Sequence, residues 1–518
     1  MAWQRQAFRL MVPILATGWL AGCGSTSAPT APVPPVIATP TPPQTALTVP
    51  AIAREFRGLW IATVANIDWP SRSDLTVNAQ QGELGLILDV AQNAGLNAVV
   101  LQVRAAGDAL YASPHEPWAR VLTGTQGTNP GYDPLAYAVT QARLRGLEVH
   151  AWFNPFRAAN LADTSRLAPQ HFAKRRPDLT RPYCTQLFFD PAEPDVRDQA
   201  ILVMLDVLRR YDIDAVHMDD FFYPYPDTRC PGLDFPDSAG YARYRGAGGA
   251  LTRGDWRRDN VNRFVERLYR EVRAVSPTAR VGISPFGIWR PGNPVGITGL
   301  DAYASIYADS RLWLQRGWVD YLAPQLYWSL ASIGQNFTSL ISWWGLQNTQ
   351  RRHLWPGLAS YRVNDGSASP YVSSEIPAQI QVARGQAALA GGATGVVLYN
   401  TTSVRTNRGG LTTLLSEGVF AAPAIPPASP WLDAVAPAAP TLAVSTTTGL
   451  LQVAVTPGGD DALSWWLVRW RANGTWRQRQ VLASTRTINV ASAGVDGIVV
   501  NAIDRAGNAS ADVIWRPQ

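Results

Sequence analysis

The chain has 518 residues, 46% hydrophobic and 16% charged, a globular composition too long for one ordinary core, so two or more folded units with linkers are expected. Lys and Arg total 45 against 39 Asp and Glu, giving a net charge of +6 with no dense basic run. That excludes a nucleic-acid footprint and is compatible with an anionic polymer or a membrane surface nearby. The 20 Trp residues are read mainly as core, with a minority suited to stacking on sugar rings.

The first element is an export signal. Arg5 and Arg9 precede an apolar run from Leu10 to Leu20, too short to span a bilayer, and the run ends in Leu20-Ala21-Gly22-Cys23. This ending resembles a lipobox, which implies that Cys23 carries a lipid and becomes the first residue of the mature protein. Gly24 after the Cys, by resemblance to lipoproteins of two-membrane bacteria, implies the periplasmic face of the outer membrane. Residues 24–50, rich in Pro, Ala and Thr, read as an extended tether. Cys184 and Cys230 would then meet an oxidising compartment; spacing alone does not establish that they pair.

Residues 51–420 alternate strand-like and helix-like segments. Buried-strand patterns occur at 58–63, 98–103, 147–153, 215–218, 281–284, 321–326, 354–358 and 395–399. Helical stripes such as Leu84, Ile87, Leu88 and Ala91 fall between most of them, as do Ile201, Met204, Leu205 and Leu208, and Phe264, Leu268, Val272 and Val275. Eight strands with intervening helices predict an α/β fold, a (β/α)8 TIM barrel. A doubly wound sheet is the alternative, but no Gly-rich phosphate turn follows the first strand. An Ala/Pro linker is expected over 421–440. Residues 441–518, with β-rich runs and an Asn473-Gly474 turn, are expected to fold separately as a small all-β sandwich like fibronectin type III.

Barrel chemistry sits at the C-terminal ends of the strands. The fourth strand ends in His217-Met218-Asp219-Asp220-Phe221-Phe222-Tyr223. Side chains alternate along a strand, so His217 and Asp219 share a side, with His217 one layer below if that side is the lumen. Two neighbouring carboxyls can hold different protonation states, which makes Asp219 and Asp220 the catalytic candidates. Arg104 and Asp108 after the second strand are expected to bind substrate. So are Trp152, Asn154 and Arg157 after the third, His217, and Gln325 and Tyr327 after the sixth. A second carboxylate is sought among Glu375, Asp190 and Asp108.

These motifs together resemble the glycosyl-hydrolase-like 10 family of bacterial envelope lipoproteins. The matching stretches are Arg54-Glu55-Phe56-Arg57-Gly58-Leu59-Trp60, Gln102-Val103-Arg104 through Gly107-Asp108-Ala109, and Pro117-Trp118. They continue with His150-Ala151-Trp152-Phe153-Asn154-Pro155, His217 through Pro224, and Ala323-Pro324-Gln325-Leu326-Tyr327-Trp328. The resemblance implies a TIM barrel that hydrolyses a cell-envelope glycan, with peptidoglycan glycan strands as the polysaccharide partner and no cofactor. Chitinase-type barrels are also similar, but where they place a Glu two positions after a lumen-facing Asp this chain has Phe221. The placement of His217 and Asp219 is instead similar to amylase-type barrels. Two other functions compete: a non-catalytic glycan-binding lipoprotein, and a metal-dependent polysaccharide deacetylase. The second is poorly supported, since the chain has five His and no His-x-x-x-His pair.

Overall fold

The computed structural model describes residues 47–517. Cys23 with the expected export signal, and the expected tether as far as residue 46, lie outside the described residues.

Eight parallel segments close into a ring. They are β1 (Phe56–Ile61), β2 (Ala98–Arg104), β3 (Glu148–Phe153), β4 (Ala215–Met218), β5 (Arg280–Ile283), β6 (Tyr321–Leu322), β7 and β8 (Gly395–Leu398). β7 comes in two pieces, His353–Leu354 and Gly357–Leu358. Pro356 lies between them and has no N–H for a ladder bond. The first piece pairs with β6 and the second with β8, and β1 pairs with both β8 and β2, so the sheet has no free edge. This is the expected (β/α)8 barrel.

The outer helices bury the anticipated stripes. Helix Val77–Asn93 starts where the Thr76 hydroxyl accepts from Ala79 N, and it buries Leu84, Ile87, Leu88 and Ala91. Helix Pro194–Arg210 buries Ile201, Met204, Leu205 and Leu208, and helix Arg253–Val275 buries Phe264, Leu268 and Val272.

The lumen has its own packed cluster, which includes Phe56, Trp60, Val100, Trp152, Tyr321, Trp355 and Val397. A polar column runs through it. Tyr321 Oη lies 2.8 Å from both His217 Nδ1 and His150 Nδ1, His150 Nε2 lies 3.3 Å from Glu148, and Arg280 pairs with Glu148 at 2.7 Å. Gly282 leaves room for the Tyr321 ring, since a Cβ there would fall 1.9 Å from it.

The tail forms two antiparallel sheets. Thr441–Thr447, Leu450–Thr456 and Thr487–Ala491 make one, and Leu463–Ala472, Thr475–Leu482, Val495–Asp504 and Val513–Trp515 the other. Their inner faces share a core that includes Val453, Ile488, Trp466 and Val500. The other face of the second sheet is apolar too, and Trp465, Leu467 and Ile503 pack with Ile425. Arg143 lies over the Trp465 ring at 5.0 Å. Residues 421–440, read from sequence as a linker, are docked: Ser429 Oγ bonds His353 Nε2 at 3.0 Å, and Trp431 Nε1 donates to Asp320 at 2.9 Å. Barrel and sandwich therefore make one compact unit, Val49–Gln518. Among the described residues no helix is long and apolar enough to cross a membrane.

Candidate active site

At the C-terminal mouth of the barrel lies a cavity of about 420 Å³ whose walls include Trp60, Trp152, Arg157, Asp219, Asp220 and Tyr327. Gln325, Ser284, Phe221 and Tyr399 complete much of the lining. Strand alternation explains the arrangement. His150, Trp152 and Asn154 follow one side of β3 and its extension, and Ala215, His217 and Asp219 one side of β4.

Asp219 is held by a chain of amides. Thr63 N and Val64 N donate to Gln102 Oε1 at 3.0 and 2.8 Å. Backbone N–H groups can only donate, so Gln102 must turn its Nε2 outward, and it donates to Asn154 Oδ1 at 2.6 Å. Asn154 Nδ2 then faces Asp219 and donates to its oxygens at 2.7 and 2.6 Å. Phe221 N adds a bond of 3.2 Å. Burial pushes the Asp219 carboxyl up, while the Arg157 charge, Phe221 N–H and the Asn154 amide hold it back.

Asp220 has a different environment. Its carboxylate accepts from the Tyr225 hydroxyl. Burial, and next the charge of Asp219, push it up to about 7, with Tyr225 and Gln325 opposing. The two carboxyls are coupled, so a proton on one favours the charge on the other.

Arg157 lies on the cavity wall, 5% exposed, with its guanidinium carbon 4.2 Å from the Phe221 ring centroid. It makes no hydrogen bond or ion pair among the described residues, and its Nε is buried without a partner. Burial draws its proton affinity down, and the charges of Asp219 and Asp220 counter that.

Several anticipated residues sit elsewhere. Arg104 does not face the cavity. Gln102 pairs with Trp152 and Arg104 with Phe153, so Val103 is an extra residue, and this bulge turns Arg104 away from the lumen. Its guanidinium is 1% exposed and engages Glu116 through Nε at 2.8 Å and Nη2 at 2.5 Å, and the Asn154 and Pro155 carbonyls through Nη1. Four of its five N–H groups are engaged and the side chain lies buried outside the cavity lining, so Arg104 is a positioning residue. His217 lies under the cavity floor, fully buried, with Trp60 Nε1 at 3.2 Å and Ser284 Oγ at 3.1 Å from its Nε2. Burial keeps it neutral.

The structure does not bring the proposed second carboxylates to Asp219. Glu375 opens the helix Glu375–Gln386 and accepts from Leu330 N and Gln379 Nε2. Asp190 pairs with Arg181 at 2.9 Å and accepts from Ala192 N, and burial raises it to about 6. Asp108, also raised to about 6 by burial, faces a neighbouring cavity. Among the described residues no group of three or more His, Cys, Asp or Glu is placed to hold a metal ion.

Sequence reading missed Gln102, Trp60, Tyr225 and Tyr399. Gln102 was open to detection, because it precedes Arg104 by two in the same strand, but the bulge that selects between them leaves no mark in composition. Cys184 and Cys230 are bonded, with Cα atoms 5.8 Å apart. The bridge joins the loop that carries Tyr225 to the hairpin that carries Gln186, another lining residue.

A closed barrel with two buried carboxyls among aromatic walls at its C-terminal mouth belongs to the architecture of glycoside hydrolases. The chain belongs to the glycosyl hydrolase-like 10 family, which matches residues 55–373. It is similar to the glycosyl hydrolase YngK of Bacillus subtilis (strain 168), 39% identical over 445 residues, which is 84% of this chain and 86% of that one. It is 34% identical to the glycosyl hydrolase DigH of Escherichia coli (strain K12) over 358 residues, 63% of this chain and 80% of that one. The PgaB (BpsB) glycoside hydrolase domain from Bordetella bronchiseptica overlays with a TM-score of 0.47 at 13% identity, covering 71% of this chain and 98% of that one.

Proposed function

We propose that this protein hydrolyses glycosidic bonds of a cell-envelope glycan, with peptidoglycan glycan strands as the substrate class. The observation that carries this reading is the contrast between two adjacent carboxyls in one aromatic-walled cavity. Asp220, pushed up to about 7, keeps a proton near neutral pH and can give it to the leaving glycosidic oxygen. Asp219, fixed by the Asn154 amide and Phe221 N–H, carries the negative charge opposite the developing oxocarbenium centre. Water then completes the cleavage, its hydroxyl joining the sugar carbon and its proton restoring Asp220. The aromatic walls suit sugar faces and exclude water from the pair.

Arg157 favours an acidic glycan. A buried guanidinium without a partner is costly, and a substrate carboxylate would relieve it. The lactyl-bearing sugar of a peptide-free peptidoglycan strand offers such a group. The glycosyl hydrolase names of the relatives from Bacillus subtilis and Escherichia coli support the reaction class.

The test is mass spectrometry of products released from purified cell-wall glycan. Shortened saccharides are expected from the unmodified protein. Asp219→Asn should cut turnover by at least about a hundredfold while leaving the fold intact. Full activity of Asp219→Asn would remove Asp219 from the chemistry, and no products from the unmodified protein would favour the glycan-binding lipoprotein. We also place the protein on the periplasmic face of the outer membrane through a lipid on Cys23. Cys23→Ser should release it to the soluble periplasmic fraction, and unchanged membrane association would refute the anchor.

A further inference from the structure

A second cavity of about 410 Å³ opens beside the first, in the range of roughly 300–1,000 Å³ typical of ligand sites. The two share Val64, Ala65 and Asn160 as a common wall. The second is built from the loops that follow β1, β2 and β3, whereas Asp219 and Asp220 follow β4.

The ridge between the cavities is specified in detail. Ala65 and Asn66 both adopt left-handed backbone conformations, with φ of 52° and 57°, which a non-glycine residue enters only at a cost. Their shape is locked from both sides. Val64 N donates to Gln102, which orients the Asp219 chain of amides, and Asn66 Nδ2 donates to the carbonyls of Pro70 and Val121, the latter a residue of the second cavity.

The lining has the mixed character that a sugar ring needs. Leu161 is an apolar side chain left 52% exposed. The Arg166 guanidinium, exposed on the same loop, makes no hydrogen bond among the described residues, its charge acts on the Asp163 carboxylate beside it in the lining, and its carbonyl accepts from Arg120 at 3.0 Å. Asp108 is only 6% exposed, and Gln126 donates to it at 2.8 Å. An apolar face beside an exposed guanidinium and a sequestered carboxyl matches a ring with one hydrophobic side and a polar edge.

We propose that this second cavity binds further sugar units of the same glycan chain whose scissile bond lies over Asp219 and Asp220, so that the protein recognises an extended chain across the Val64–Asn66 ridge. The proposal rests on the glycosidase reading for the identity of its ligand. Burial raises Asp108 to about 6, so at mildly acidic pH it can donate to a sugar oxygen as well as accept.

The test compares short glycan fragments, of di- or trisaccharide length, with long peptide-free strands. The double variant Leu161→Ala, Arg166→Ala changes two exposed side chains, so the fold should survive. KM for long strands is expected to rise about tenfold, which corresponds to ~1.4 kcal/mol, with kcat unchanged and with no change on the shortest cleaved fragment. A parallel calorimetric titration uses Asp219→Asn protein, with and without the double substitution, to read binding without turnover. There the long strand should bind more tightly than the short fragment, and the double substitution should remove the difference. Equal effects on both lengths, or none on either, would overturn the subsite. Should the unmodified protein turn over no glycan while the length-dependent binding persists, the glycosidase reading fails and the extended site stands.

Discussion

Asn154 Nδ2 donates to both carboxylate oxygens of Asp219, at 2.7 and 2.6 Å, and the amide cannot flip, because its own oxygen is engaged by Gln102. The orientation of a side chain beside the reaction site is thus decided by two backbone N–H groups, those of Thr63 and Val64, two residues further along the relay. Gln102→Glu tests this. The new carboxylate can still accept from the backbone but cannot donate to Asn154, whose amide would then turn its nitrogen toward the added charge. Asp219 would lose a charge-assisted bond, worth about 1.5–3 kcal/mol. kcat/KM should fall roughly ten- to a hundredfold, and the acidic limb of its pH profile should move up. An unchanged profile would show that the relay does not set the charge on Asp219.

The pH dependence should carry the signature of Asp220. Its folded value near 7 lies above the roughly 4 of a free aspartate. Folding therefore favours the protonated form, and the sign follows: this contribution to stability is complete below about 4 and is lost as pH rises toward about 7. On the proposed role of Asp220 as the acid, its proton disappears over the upper part of that range, so kcat/KM should decline as pH rises through about 7. Tyr225 opposes the upward shift, so Tyr225→Phe should move this basic limb higher. A limb that stays fixed in Tyr225→Phe would assign it to another group.

Arg104 should matter for stability and for kcat together. It forms a buried two-point pair with Glu116 and holds the Asn154 carbonyl. Arg104→Ala strands Glu116 and should cost about 3–5 kcal/mol. Arg104→Lys keeps the charge but lacks the planar fork, so thermal denaturation should show a smaller loss while kcat falls through displacement of Asn154. Normal melting and normal kcat in Arg104→Lys would remove it from the site's support.

Removal of the sandwich should weaken the barrel from its N-terminal face. Trp465, Leu467 and Ile503 pack with Ile425, Arg505 pairs with Asp212, and Ser429 N donates to the Ala506 carbonyl at 2.8 Å. A chain ending at Pro430 loses these contacts and should melt at a lower temperature than the full chain. Its activity at low temperature should persist, because no sandwich residue lines the reaction cavity. An unaltered melting temperature would show that the docked face contributes nothing.

The Cys184–Cys230 bridge should hold the cavity rim together. It closes a stretch with a sequence separation of 46, and its two ends lie near Gln186 and Tyr225. Cys184→Ser with Cys230→Ser should cost about 2–4 kcal/mol on the chain-entropy argument. It should also raise KM for glycan, as the Gln186 hairpin and the Tyr225 loop lose their link. Unchanged melting and KM would mean that packing alone fixes the rim.

The sequence by itself determined the barrel, because buried parallel strands and amphipathic helices write their periods into every segment. All eight strand patterns, from 58–63 to 395–399, correspond to members of the closed ring. Alternation along β4 was also enough to put His217 and Asp219 on one side, and the closed lumen makes His217 the buried one beneath. The tertiary structure decided which polar groups meet. Arg104 and Gln102 are equally plausible in the sequence, and a single extra residue in β2 sends one to Glu116 and the other to Asn154. Glu375 and Asp190, read as carboxylates near strand ends, are spent on Gln379 and Arg181 instead. Such choices depend on contacts between residues distant along the chain, and hydrophobic periodicity carries no record of them. The residues at 421–440 make the same point: their Ala/Pro composition reads as a spacer, while Ser429 and Trp431 find buried partners at the base of the barrel.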